Sequence, residues 1–288
     1  MKLDGKVAIV TGAGRGLGRA IAIALAKEGS SLVLMARTLP ELEITAKQAR
    51  LTDEKLLIFR GDIGKQGDVK RMVRMALSKF GRIDILVNNA ATVLPIGPTS
   101  KVKVKDWKNA IQTNVIGTFL CTRSVLPIFV RSKHGKIINI TGSGDTALEN
   151  FSAYTTSKAA IIRFTETLAA EVKGQGICVN AVAPGGISTK MTEEIFNAGD
   201  AAGSSEHERA GRVIGSKGVP LDLPASLVVF LASEESNCLT GKIISALHDN
   251  WKEFGPVAGK LNDSDLYTMK RIYPNFAERL RLPKGEKD

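Results

Sequence analysis

Tyr154 and Lys158 stand four residues apart in Tyr154-Thr155-Thr156-Ser157-Lys158, so on a helix their side chains share one face. A phenol and an ammonium in that arrangement can exchange a proton with a substrate oxygen. A free phenol titrates near pH ~10, so only about one part in a thousand is ionised at neutral pH. Lowering that value by about 3 units takes about 4 kcal/mol of selective phenolate stabilisation, much of which a nearby ammonium supplies in a dry pocket. The spacing alone arises often by chance on surface helices. Its weight depends on the residues that accompany it.

A second group of residues suits a phosphate. Thr11-Gly12-Ala13-Gly14-Arg15-Gly16-Leu17-Gly18 follows the β-branched run Val7–Val10 and opens a helical stretch. Small residues let the backbone approach a pyrophosphate closely, and free N–H groups at the helix start favour its negative charge. Tight helix–strand packing also needs glycine, so it is the place between strand and helix that points to a dinucleotide. The second strand ends in Ala36-Arg37, with no carboxylate to bind a ribose 2′-hydroxyl. Arg37, with Arg15 in the loop, suits a 2′-phosphate instead. NADP(H) is therefore expected in preference to NAD(H), the alternative being two solvated surface arginines.

Alternating strands and helices must position these groups. The apolar pattern predicts strands at Val7–Val10, Ser31–Met35, Leu56–Phe59, Ile83–Val87, Lys136–Ile140, Cys178–Val182 and Lys242–Ala246. Helices are predicted at Leu17–Lys27, Pro40–Arg50, Val69–Phe80, Trp107–Phe119, Ala153–Val172 and Pro224–Ala232, with Asp68 placed to cap the third and Gly81 to stop it. The pattern is that of an α/β protein with a doubly wound parallel sheet, in which ligands belong at the carboxyl ends of the strands. A single domain covers residues 1–246, with a lid-like stretch poor in structure signals at Thr189–Ser216. The extension 247–288 carries Trp251, Phe254, Tyr267, Tyr273 and Phe276 and is expected to pack on its own or a neighbouring subunit.

The composition bounds the alternatives. Of the 288 residues 43% are hydrophobic and 24% charged, too apolar for a disordered chain. The uninterrupted apolar runs fall short of the roughly 18 residues a membrane span needs. Cys121, Cys178 and Cys238 lack C-x-x-C spacing and read as unpaired buried residues; with no leader before Val7, a cytoplasmic, reducing compartment is expected. The net charge of +11 comes mainly from Arg60–Arg82 and Lys101–Lys136. These read as solvated helix faces, and no nucleic-acid or membrane partner is expected. His134, His207 and His248 have no metal-ligand spacing.

Together these motifs resemble the classical short-chain dehydrogenase/reductase family. The residues that carry the resemblance are the Thr11–Gly18 loop, Asp62, Asn88-Asn89-Ala90, Asn114 in Thr113-Asn114-Val115, the Tyr154/Lys158 pair, and Pro184-Gly185 with Ile187 and Thr189. The resemblance implies a Rossmann fold and a small-molecule carbonyl/alcohol substrate, reduced or oxidised by hydride transfer. Tyr154 would be the general acid/base, Lys158 would lower its pKa and bind the nicotinamide ribose, and Asn114 would hold a relay water. Gly12, Arg15, Gly16, Leu17, Gly18, Arg37, Asp62, Ile63, Asn88, Ala90, Pro184, Gly185, Ile187 and Thr189 would line the cofactor cleft. The resemblance further implies a homodimer or homotetramer built on the helices around Trp107–Phe119 and Ala153–Val172. The alternative is a cofactor-binding, catalytically weak relative with a regulatory or structural role, and one feature here admits that reading. The family's catalytic serine is expected where Gly142 stands; Ser143 is the preferred replacement because flanking glycines permit a one-residue shift, Thr141 is the alternative, and loss of the hydroxyl is the third outcome.

Overall fold

The computed structural model describes residues 1–142 and 146–270. Seven strands, β1 (Val7–Thr11), β2 (Ser31–Ala36), β3 (Leu56–Arg60), β4 (Ile85–Asn88), β5 (Gly135–Ile140), β6 (Ile177–Ala183) and β7 (Ile243–Ser245), form one sheet in the order β3-β2-β1-β4-β5-β6-β7. Every neighbouring pair is parallel. The helices are α1 (Gly16–Lys27), α2 (Leu39–Ala49), α3 (Gln66–Phe80), α4 (Val104–Ile111), α5 (Thr118–Ser132), α6 (Ser152–Glu171), α7 (Lys190–Asn197), α8 (Ser204–Gly215), α9 (Asp222–Ala232) and α10 (Phe254–Asn262).

Strand alternation sends successive side chains to opposite faces, and both faces are covered. Ala8, Val10, Leu32, Leu34, Ile85 and Val87 pack with α1 and α9 on one side. Val7, Ile9, Val33, Met35, Leu86 and Val179 pack with α3, α5 and α6 on the other. The chain winds outward from β1 in both directions, so the crevice between the β1 and β4 ends is the switch point where an open parallel sheet binds ligands.

Several elements differ from the sequence expectations. The helix predicted at Trp107–Phe119 is part of a longer helical run, Val104–Ser132, which by length and composition could cross a membrane. Here Cys121, Val125 and Phe129 are buried in the layer that covers the sheet. A π-turn, Gln112–Gly117, interrupts that run. Asp68 does not cap α3: Lys65 is the N-cap, and Asp68, inside the first turn, accepts the Asp62 N–H at 2.9 Å. Gly81 ends the helix in the left-handed conformation. The stretch 189–216 is largely helical, forming α7 and α8, whose Ile195 and Ala210 pack with Ala202 and Phe151 in one buried cluster.

Two of the three cysteines are not free. Cys178 and Cys238 form a disulfide, with Cα atoms 5.5 Å apart, while Cys121 is free and buried. Sixty residues separate the pair in sequence, and adjacency appears only when β6 lies beside the turn leading to β7. With Cys178 and Cys238 joined, the cysteines give no ground for a reducing compartment. The basic stretch Lys101–Lys136 is mostly solvated, but Lys136 is buried, and burial lowers its pKa. Beyond β7 the extension packs on its own chain: the Trp251 ring lies 5.5 Å from Phe230 and Phe254 lies 4.9 Å from Tyr267. Ile243 donates to the Tyr267 carbonyl at 2.8 Å, and Met269 donates to Glu166 of α6 at 2.6 Å. Tyr273 and Phe276 lie outside the described residues.

Candidate active site

A cavity of about 1180 Å³ opens at the carboxyl ends of the strands. Its floor is the glycine loop, which must pass very close to itself. A Cβ on Gly18 would stand 2.2 Å from the Gly12 carbonyl oxygen, so no other residue fits there. The loop is pinned by residues that carry no motif. Arg19 donates to the Gly14 carbonyl and to Thr45 Oγ1, and Thr45 donates to the Ala13 carbonyl at 2.8 Å. α1 begins at Gly16 without a side-chain cap, leaving its first N–H groups for a ligand anion.

Gly12, Arg15, Gly16, Leu17, Gly18, Arg37, Asp62, Ile63, Ala90, Pro184, Gly185, Ile187 and Thr189 all line this cavity with Tyr154 and Lys158. Asp62 Oδ1 accepts from the Gly64 N–H at 2.9 Å, which fixes the turn after β3. Asn88 departs from expectation. It is 5% exposed and its side chain turns into the core, where Nδ2 donates to Thr122 Oγ1 at 3.1 Å and Asn139 Oδ1 at 2.9 Å. Asn139 in turn donates to Thr165 Oγ1 of α6 at 2.9 Å. Asn89, one residue on, faces the cavity instead. Glu41 is a lining residue the sequence reading missed; it sits in the first turn of α2 and meets Arg15 Nη1 at 3.5 Å.

At the other end, α6 presents Tyr154 and Lys158 toward the cavity. Lys158 Nζ donates to the Ile140 carbonyl at 2.9 Å and lies 5.6 Å from the centre of the Tyr154 ring. Burial lowers the Lys158 pKa to about 8. Burial also raises Tyr154 to about 12, opposed by the charge of Arg209 and not by Lys158. Asn114 sits in the π-turn, a local feature common at functional sites. Its Oδ1 accepts from Thr92 N at 2.8 Å, and Nδ2 donates to Thr92 O and Ser157 Oγ, both at 2.9 Å. Both amide hydrogens are committed within the protein, and Asn114 ties the Thr92 segment to α6 without lining the cavity.

Gly142 follows β5 at φ +144° and stands directly against the phenol: a Cβ there would lie 2.6 Å from Tyr154 Oη. Thr141 is buried, and its hydroxyl donates to the Val182 carbonyl at 3.1 Å, which takes that hydrogen away from the reacting oxygen. Ser143 lies outside the described residues.

The model of the short chain dehydrogenase family matches residues 6–200. The chain belongs to the short-chain dehydrogenases. A 3-oxoacyl-[acyl-carrier-protein] reductase of Thermotoga maritima is 33% identical over 249 residues, covering 85% of this chain and 97% of its own. An uncharacterised oxidoreductase of Bacillus subtilis is 35% identical over 84% of this chain and 82% of its own. Among solved structures, NAD⁺-bound xylitol dehydrogenase superposes with a TM-score of 0.76 at 29% identity, over 85% of this chain and 98% of its own. Levodione reductase gives 0.78 at 28%, over 84% and 96%.

In this short-chain dehydrogenase a hydroxyl at position 142 cannot simply be added. Gly142 occupies a backbone region that side chains avoid at a cost of about 1–3 kcal/mol, and a Cβ would displace the Tyr154 oxygen. Gly142→Ser is expected to lower both turnover and the thermal midpoint. A variant with higher kcat and an unchanged midpoint would contradict this geometry.

Proposed function

We propose that the protein is an NADP(H)-dependent oxidoreductase that interconverts a carbonyl and a secondary alcohol, with Tyr154 as general acid/base. The observation that carries the reading is the Tyr154 phenol facing the same cavity as the glycine loop, with Lys158 behind it. The nicotinamide cofactor, when bound, supplies or accepts the hydride at the substrate carbon. The glycine loop and the open start of α1 hold its pyrophosphate, and Ile187 and Thr189 hold the nicotinamide end. Tyr154, kept protonated by burial, donates its proton to the carbonyl oxygen as the carbon receives hydride, yielding the alcohol. Lys158 orients the ribose from its place on the same face of α6. Ile116, Phe119 and Val130 leave apolar surface exposed on the α4–α5 run, which supports a homo-oligomer through that face.

NADP(H) is preferred over NAD(H) on the strength of Arg15 and Arg37 at the cavity's nucleotide end. Glu41 beside Arg15 works against a phosphate, so the two cofactors are worth comparing directly. NADPH is expected to raise the thermal midpoint more than NADH at equal concentration, and Arg37→Ala to weaken NADPH binding about 10- to 100-fold. Stronger stabilisation by NADH would overturn the preference. A second reading, a cofactor binder with weak catalysis, is favoured by Gly142 in place of a hydroxyl donor. NADPH oxidation across a panel of ketones separates them: tight cofactor binding with no turnover would support the second reading.

A further inference from the structure

Arg209 faces the cavity from α8 at the end where Tyr154 lies, and no motif accounts for it. Its Nε and Nη2 both donate to Glu206 Oε2, at 2.8 and 2.6 Å. Glu206 is only 8% exposed, so the carboxylate is a fixed bracket that sets the direction of the guanidinium. Nη1 has no acceptor among the described residues, and it lies 3.8 Å from where a Cβ on Gly186 would stand, just past β6.

The surroundings are apolar. Val93, Phe151 and Ile195 are buried in one cluster, with Leu148 and Met191 packed against it. Lys190, Glu194, His248, Asp249 and Lys270 also line the cavity, yet Arg209 is the charge that acts on the titration of Tyr154. Asp249 is already engaged, accepting from Ser245 N at 2.7 Å. A guanidinium aimed by its own carboxylate, with both N–H bonds of Nη1 left over, is suited to receive an oxyanion.

We infer that Nη1 of Arg209 is an anion subsite for the substrate, and that the substrate is an oxo acid with an apolar body, its carbonyl at Tyr154 and its carboxylate at Arg209. This deepens the proposed reduction and rests on it. A neutral ketone of the same shape would leave Nη1 to water, since the Arg209 side chain is 41% exposed, and would forgo the charge-assisted pair that a carboxylate makes there. In balance, hydride from NADPH and the proton of Tyr154 convert the oxo acid to a hydroxy acid and NADP⁺; Tyr154 then regains a proton from solvent, and the carboxylate is unchanged.

The test uses the full-length chain with 2-, 4- and 6-oxoheptanoate and their methyl esters. The best acid is expected to exceed its ester in kcat/KM by about 10- to 100-fold, mostly through KM. The preference should vanish in the double variant Glu206→Gln/Arg209→Gln, which leaves no stranded carboxylate, and survive in part in Arg209→Lys. Calorimetric binding of heptanoate, which cannot be reduced, reads the subsite without turnover. If acids and esters are reduced equally well by the wild type, the inference is overturned while the proposed function stands. Unchanged heptanoate affinity in the double variant overturns it too. If heptanoate binds through Arg209 but no carbonyl is reduced, the subsite is supported and the reduction reading fails.

Discussion

Tyr154→Phe is expected to lower carbonyl reduction by about 10²–10⁴-fold while leaving NADPH affinity nearly unchanged. The phenyl ring keeps the packing of Tyr154 against the cluster around Phe151, and only the proton-bearing oxygen is lost. Stopped-flow hydride transfer and fluorescence titration with NADPH read the two quantities separately. Because burial holds the phenol up to about 12, reduction by the wild type should remain insensitive to Tyr154 ionisation through the neutral range. A Phe variant with near wild-type turnover would remove Tyr154 from the chemistry.

Lys158→Met is expected to abolish most turnover and yet make the protein more stable at neutral pH. Lys158 is 3% exposed, and burial lowers its pKa from 10.5 to about 8. Below about pH 8 the folded protein therefore carries a desolvated charge that the unfolded chain keeps in water, which at 1.36 kcal/mol per unit costs about 3 kcal/mol. As pH rises from about 8 to 10.5 the folded state loses that proton first, so the wild type gains stability across this window. Methionine removes the penalty but also removes the hydrogen bond to the Ile140 carbonyl, an opposing loss of about 1 kcal/mol. A net gain of about 2 kcal/mol at pH 7, shrinking above pH 8, should appear in denaturant titrations at several pH values. A variant less stable than wild type at pH 7, with the same pH slope, would refute this account of a lysine kept for function at the expense of stability.

The strands and the glycine loop were legible in the sequence because local pattern dictates them. Val7-Ala8-Ile9-Val10 is a short, continuous apolar run that leads into glycines, as a strand buried on both faces does, and Gly12 to Gly18 carries the glycines that a tight strand-to-helix turn needs. What the sequence concealed depends on contacts between distant segments. Cys178 meets Cys238 only through strand pairing, and α7 and α8 gain their order from packing on Phe151. The one-residue choice between Asn88 and Asn89 turns on which way the end of β4 faces, a matter of strand phase that the motif does not contain. Gly142 could be placed after β5, but not seen to touch the phenol, since that contact joins residues on separate elements. Arg209 lay in a stretch read as a lid, where nothing marked it apart from its neighbours.

The chain of amides and hydroxyls from Asn88 through Asn139 to Thr165 has a bearing on redesign. It runs through the interior between β4, β5 and α6, with Thr122 of α5 at its side. Sliding α6 along the sheet by one residue would break it and leave amides stranded without water. It therefore ties α6 to the sheet at Thr165, about three helical turns along from Tyr154. Libraries that vary only cavity-lining positions would leave this tie intact and keep the phenol in place. Apolar replacements at Asn139 or Thr165, which never touch a ligand, would be read as loss of activity by any screen that looks only at product.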